Sequence, residues 1–428
     1  MRNIKRKGFI SIEIVVIASV VLIGGLAGTS AFLKNGQNAQ GQSAAAMNNT
    51  IDMIGEEFDF DVSGSGILPI ATGDAMVGGV SYDTLQEAVD EAQNGATIKV
   101  ARDVILTSTI KVPRNKTLTF DLNGKTIDGT DNVRIAIMSY GNLTIQDTSG
   151  GTGLIKAGIG TAGNAINICA GKFILNSGNI YSLNNGILID EEATEIIING
   201  GTITAEPGTN SSAAFYIPTS DETTVTINGG KIVGYIGIRI WNNTTLNIMG
   251  GEIDAQGGSG IQGNGTSDNT EIKISGNASI KGKETAIYHP QGGKLEISGN
   301  AALTGATGLA IKEGNILISG GTISGTGAAT AYKPLGSGFA STSDGLYVEH
   351  YDNSTGTSGY GTPTVKVTGG TFKSTNGKAI ASYVNPTGGI EAITGFVYGG
   401  TLSGTIQEEL CAQGHSIKNN GDGTYRVE

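Results

Sequence analysis

From residue 195 onward, apolar and polar positions alternate in short runs, and most runs end in a pair of glycines before resuming on an apolar residue. The phrase reads Glu195–Ile203, Thr224–Ile232, Thr245–Ile253, Asn315–Ile323, Thr364–Phe372 and Gly395–Leu402. Two variants with one extra residue, Ile274–Ile280 and Ile297–Leu303, sit between them. The first glycine of each copy falls at 200, 229, 250, 276, 299, 320, 369 and 399. Most steps lie between 21 and 30 residues, and one of 49 holds either two repeats or a long insertion. Such a period is the mark of a solenoid.

The positions four and two before each marker are apolar: Ile196 and Ile198, Val225 and Ile227, Leu246 and Ile248, Ile272 and Ile274, Leu295 and Ile297, Ile316 and Ile318, Val365 and Val367. Alternation with period two predicts a strand with one face buried. The glycine pair permits a sharp corner, because glycine enters positive φ without steric penalty. A second short strand recurs at Ala165–Ile168, Gly186–Ile189, Gly237–Ile240, Ala286–Tyr288 and Gly345–Val348. No amphipathic helix fits between these strands, so leucine-rich-repeat and βαβ architectures fail. The expected fold is all-β, a single-stranded parallel β-helix.

The N-terminus follows a different pattern. Arg2, Lys5, Arg6 and Lys7 precede Gly8, and Phe9–Phe32 is a nearly unbroken apolar run. As a hydrophobic α-helix it would be roughly 36 Å long, enough to cross a bilayer. Glu13 places a carboxylate inside that run, where a charge is costly unless it finds a partner. Basic residues, then Gly8, Phe9 and Glu13 in this order, resemble the leader of type IV prepilins and pseudopilins. The resemblance implies cleavage after Gly8 by a prepilin peptidase. It also implies pairing of Glu13 with the new Phe9 ammonium of a neighbouring pilin, since each buried charge needs the other. Ordinary signal-peptidase cleavage near Thr29–Ala31 and an uncleaved signal anchor held by Lys5–Lys7 stay open. Each of the three exports the rest of the chain, with the membrane as its partner through Phe9–Phe32.

Downstream, 1–8 reads as a leader, 9–58 as the helix and its extension, and 59–79, rich in Gly, Ser and Asp, as a linker. Tyr82–Gly95 predicts a short helix: Thr84 and Glu87 form a capping box, Leu85, Ala88, Val89 and Ala92 an apolar face, and Gly95 a stop. With the strands at Ala96–Val100 and Val104–Leu106, residues 80–116 form a capping module ahead of a β-helix over 117–404 and a closing cap over 405–428. A lid of this kind covers an otherwise unpaired edge and open core. Tyr82–Ile127 and the C-terminal Gly399–Leu402, Cys411 and Asp422–Val427 resemble the ends of pectate-lyase-like surface proteins of Gram-positive bacteria. That resemblance implies a right-handed parallel β-helix displayed at the cell surface.

Composition narrows the function. A net charge of −11 argues against nucleic acid, which needs a phosphate-neutralising basic surface. Two cysteines far apart, Cys169 and Cys411, make neither a disulfide framework nor a CxxC metal site, and no cofactor or metal is expected. Polysaccharide lyases and hydrolases share this fold class, but hydrolysis requires two carboxylates flanking the bond. Of the polygalacturonase-like motifs only Arg239–Ile240 has a counterpart, and His289, His350 and His415 suggest no triad. The expectation is therefore no enzyme, with a lyase or hydrolase as the alternative and a structural spacer as a third class. A binding strip is the positive candidate. Outward positions of the second short strand carry Asn167, Leu188, Tyr216, Arg239, Gln262, Tyr288, Lys312 and Tyr347 on successive repeats, with Trp241 and His289 beside them. Rings flanked by hydrogen-bonding groups suit sugars, so Tyr216, Arg239, Trp241, Gln262, Tyr288, His289 and Tyr347 are the candidate residues for glycan or host-surface binding. Outward aromatics that merely shield a β-surface are the plain alternative.

Overall fold

A computed structural model describes residues 73–428, apart from 160–162, 209–211, 219–220, 265–268, 336–337, 340, 352–360 and 386–389. Gly8, Phe9, Glu13, the 9–58 helix and most of the 59–79 linker lie outside the described residues. Among the described residues, no helix is long and apolar enough to cross a membrane. Residues 73–78 and 82–428 form one compact unit.

The unit is a parallel β-solenoid of about eleven turns. A regular turn has three strands, as in Ile236–Ile240, Thr244–Ile248 and Glu252–Ala255. Each strand pairs in parallel with its equivalent one turn on: Ile238 with Ile261, Leu246 with Ile272, Ile253 with Ile280. Identical register from turn to turn stacks like residues. Ile198, Ile227, Ile248, Ile274, Ile297 and Ile318 make one interior column, and Ile203, Ile232, Ile253, Ile280, Leu303 and Ile323 another. All are buried. At about 1.5–3 kcal/mol for each large aliphatic side chain removed from water, these columns supply the main drive for folding.

The two glycines of the corner do different jobs. The second has positive φ, +77° at Gly201, +85° at Gly230 and +82° at Gly251, which other residues adopt only with strain. The first is needed for closeness: a Cβ on Gly200, Gly229 or Gly250 would lie 2.6, 2.7 or 2.5 Å from the carbonyl oxygen of Asn176, Asn199 or Asn228 on the preceding turn. Side chains at this corner also stack, with Asn199 donating to Asn176 at 2.9 Å and Asn228 to Asn199 at 2.8 Å.

The ends differ from the repeat. Helix α1, Leu85–Glu91, is capped by the Thr84 hydroxyl, which accepts from Glu87 N at 3.1 Å, and buries Leu85, Ala88 and Val89. It stops at Ala92, three residues before the expected Gly95. Turns begin earlier than the sequence pattern implied, since Thr97–Val100, Val104–Ile105 and Ile110–Val112 already pair with the next turn. Ala75–Val77 lies antiparallel on Thr97–Val100 and closes that edge. At the other end Tyr425–Val427 runs antiparallel to Gly400–Thr405, with Ile417–Asn419 beyond it, so the parallel ladder ends in a small antiparallel sheet.

The 49-residue step is one turn with two insertions. The longer, 326–345, separates Thr322–Gly325 from Leu346–Tyr351, and the shorter, 352–363, separates the latter from Thr364–Val367.

Candidate functional site

The first strands of successive turns bring the candidate strip together. Leu188 pairs with Tyr216, Tyr216 with Arg239, Arg239 with Gln262 and Gln262 with Tyr288. The file continues through Ala310 and Tyr347, so Ala310 holds the place expected for Lys312. Lys312 follows the strand instead, its amide donating to the His289 carbonyl at 3.0 Å.

The file is divided in two by the 326–345 insertion. Its first part is open. Tyr216, Arg239 and Gln262 are half-buried, and Trp241, one position beyond Ile240, is 37% exposed. The Arg239 guanidinium lies 5.7 Å from the centre of the Tyr216 ring and donates from Nη2 to Gln262 Oε1 at 3.3 Å. Set over the Tyr216 ring and hydrogen-bonded to the Gln262 carboxamide, the guanidinium is held in a fixed direction. Trp241 is anchored through its backbone: its amide donates to Ile217 O at 3.0 Å, and its carbonyl accepts from the fully buried Gln291, which also donates to Asn264 O at 3.0 Å. The product is a ring, a cation, an amide and an indole on three consecutive turns. Flat apolar faces beside directed donors and acceptors are what a pyranose ring with its equatorial hydroxyls can use.

The second part is covered. Tyr332 and Phe339 of the insertion pack on Tyr288, Ala310 and Tyr347, with Tyr383 alongside. The rings of Tyr288 and Phe339 are 5.4 Å apart, and Tyr332 stacks on Tyr383 at 4.4 Å. Tyr288 is left 7% exposed and Tyr347 fully buried, so neither belongs to an open strip. His289 departs further from expectation. Alternation turns it inward with Ile287, and it pairs with Ile311 in the column that runs through Ile217 and Ile240. It is fully buried, and neither ring nitrogen has a hydrogen-bond partner. Burial pushes its pKa down to about 4, so it is a neutral core residue.

Acidic residues in the early turns serve the backbone. Asp147 accepts from Gly153 N at 2.6 Å, Gly124 N at 2.8 Å and the Ser149 hydroxyl at 2.7 Å. Burial alone would raise its pKa, but these donors hold it at about 2. Asp121 accepts from Thr148 N at 3.0 Å and from its hydroxyl at 2.7 Å, fastening two turns. Among the described residues no group of three or more His, Cys, Asp or Glu side chains could hold a metal ion, and Cys169 and Cys411 are free thiols.

Sequence reading missed the polar cluster beneath the insertion. Lys312 and Glu349, both fully buried, lie 3.3 Å apart from Nζ to Oε1. Each is a charge beside or within an apolar strand, Lys312 after Thr307–Ile311 and Glu349 inside Leu346–Tyr351, and nothing local joins them. Compared with protein-family models, curated proteins and solved structures, the chain matches none of them.

Proposed function

We propose that this chain is a bacterial cell-surface or pilus-associated adhesin, a minor pilin-like subunit that carries its β-solenoid outward and binds glycan at the Tyr216–Arg239–Gln262–Trp241 strip. The observation that carries the reading is the exposed Trp241 beside an Arg239 already oriented by Tyr216 and Gln262. A single shallow strip binds a sugar weakly, and display of many copies on one surface raises the avidity without new contacts. The reading is non-catalytic. Two carboxylates must flank a glycosidic bond for hydrolysis, and this strip offers a phenol, a guanidinium, an amide and an indole. Arg239 is the strip's cation and so its natural contact for any acidic group on the glycan.

Binding of the full-length chain in detergent to an oligosaccharide panel tests the strip. Absence of binding by the wild type would favour the spacer reading, retained binding by Arg239→Ala with Trp241→Ala would place the ligand elsewhere, and turnover of uronic-acid polymers would favour the lyase or hydrolase. Mass spectrometry of the native N-terminal peptide tests the mode of display. A chain beginning at Phe9 supports prepilin processing, with Glu13 as its assembly contact. One beginning after Ala31 supports ordinary secretion, and an intact leader a membrane anchor through Phe9–Phe32.

A further inference from the structure

Three side chains from three successive turns meet beneath the 326–345 insertion. Lys312 follows the strand Thr307–Ile311, Glu349 lies in Leu346–Tyr351, and Asn385 ends Ile380–Asn385. Lys312 and Glu349 are fully buried and Asn385 is 8% exposed. Lys312 Nζ lies 3.3 Å from Glu349 Oε1, and Asn385 Nδ2 donates to the same oxygen at 2.7 Å. Both nitrogens also donate to the Leu335 carbonyl, at 3.1 and 2.8 Å. Two nitrogens that share two acceptors stand side by side, so the carboxamide of Asn385 is next to the lysine amine. Lys312 Nζ also donates to Gly338 O at 2.8 Å, and the Tyr347 hydroxyl donates to Glu349 Oε2. Tyr351 lies 5.2 Å from Nζ, and the Tyr332, Tyr347 and Tyr383 rings pack against one another around the cluster.

A charged pair in such surroundings is a weak source of stability, because desolvation offsets the attraction. Burial lowers the lysine's proton affinity, and passing its proton to Glu349 leaves a neutral amine beside a neutral carboxylic acid. A neutral amine is a nucleophile, and holding it against a carboxamide converts a slow bimolecular reaction into an intramolecular one.

We propose that Lys312 and Asn385 join in an intramolecular amide, with Glu349 as the proton carrier. The Nζ lone pair adds to Asn385 Cγ and forms the new C–N bond. Glu349 gives the proton it carries to Nδ2, the nitrogen already hydrogen-bonded to it, and as a carboxylate takes the surplus proton from Nζ. The Cγ–Nδ2 bond then breaks and ammonia leaves. An amine and a primary amide become a secondary amide and ammonia, with no oxidant, reductant or cofactor. Asn385 is also protected from a competing loss of ammonia. Pro386 follows it, and cyclisation onto the next backbone nitrogen needs an N–H that proline lacks. The bond would staple together the turns on either side of the one carrying both insertions, the largest break in the regular repeat.

The test is the mass of the recombinant full-length chain together with its tryptic map. The expected chain is lighter than its sequence by one ammonia, resists cleavage after Lys312, and yields one branched peptide containing Lys312 and Asn385. Glu349→Gln keeps the shape but cannot carry the proton, so that variant should show the full mass with separate peptides. Asn385→Ala should do the same, and a wild-type circular dichroism spectrum for either variant excludes misfolding as the reason. Wild-type protein at full mass, or an ammonia loss mapped to another residue, overturns the proposal. A cross-link that persists in Glu349→Gln overturns the role given to Glu349.

Discussion

Replacing the two corner glycines one at a time separates the two reasons for their presence. Alanine at Gly250 would place its Cβ 2.5 Å from the Asn228 carbonyl oxygen, and that oxygen belongs to a backbone that no rotamer change can move. Alanine at Gly251 would meet Gly229 backbone atoms at 2.9 Å and must also hold φ near +82°. Gly95 supplies the control, with φ +84° and nothing within 4 Å of an added Cβ. Left-handed backbone costs a non-glycine residue about 1–2 kcal/mol. Forcing a methyl into packed structure costs about 1–3 kcal/mol. Alanine returns about 0.4–1 kcal/mol in every case by narrowing the unfolded ensemble. The net losses are then about 1 kcal/mol for Gly95→Ala, about 1–2 for Gly250→Ala and about 2–4 for Gly251→Ala. Urea unfolding followed by circular dichroism gives the order, and hydrogen exchange at the 228 and 250 corners localises the damage, which matters because solenoids can open turn by turn. Wild-type stability in Gly250→Ala would refute the argument that the first glycine is selected by the closeness of stacked turns.

Two further predictions concern buried titrating groups. The folded-state pKa of His289, about 4, lies below the usual histidine value, so the unfolded chain binds the proton more tightly and stability is lost as pH falls from about 6.5 through 4. His289→Ile, matching Ile240 and Ile311 of the same column, should abolish that part of the acid sensitivity and raise the urea midpoint at pH 5. An unchanged pH profile would show that His289 is hydrated or paired in solution. The depressed pKa of Asp147, about 2, means that its contribution is complete above the unfolded value near 4 and disappears as pH falls through 2. Asp147→Asn should cost about 1–3 kcal/mol at pH 7, by leaving the donors of Gly124 and Gly153 poorly matched, and far less at pH 2.

Much of the fold was legible because period-two alternation and stacking reinforce each other. Ile196, Ile198, Val225, Ile227, Leu246 and Ile248, assigned inward from spacing alone, are the columns of the core. His289 was readable by the same rule, since it shares a side with Ile287, two residues earlier. Lys312 was misplaced because the position paired with Tyr288 is the inconspicuous Ala310. The burial of Tyr288 and Tyr347 was harder to foresee. Where a 20-residue insertion lies depends on tertiary packing rather than on the repeat, and the only local signal is the pair Tyr332 and Phe339 in a stretch otherwise rich in small residues. The Lys312–Glu349–Asn385 cluster shares that origin, since its members are 37 and 36 residues apart in sequence and meet only when the turns stack.

Trp241 is the only tryptophan in the chain, so its fluorescence reports directly on the proposed binding strip. A titration of the full-length protein with oligosaccharides, neutral and uronic, is the most direct measurement to make. The account predicts a saturable change in Trp241 emission that is lost in Arg239→Ala, with the variant otherwise folded as the wild type. Saturable binding by calorimetry with no change in Trp241 emission would place the ligand elsewhere and contradict the account.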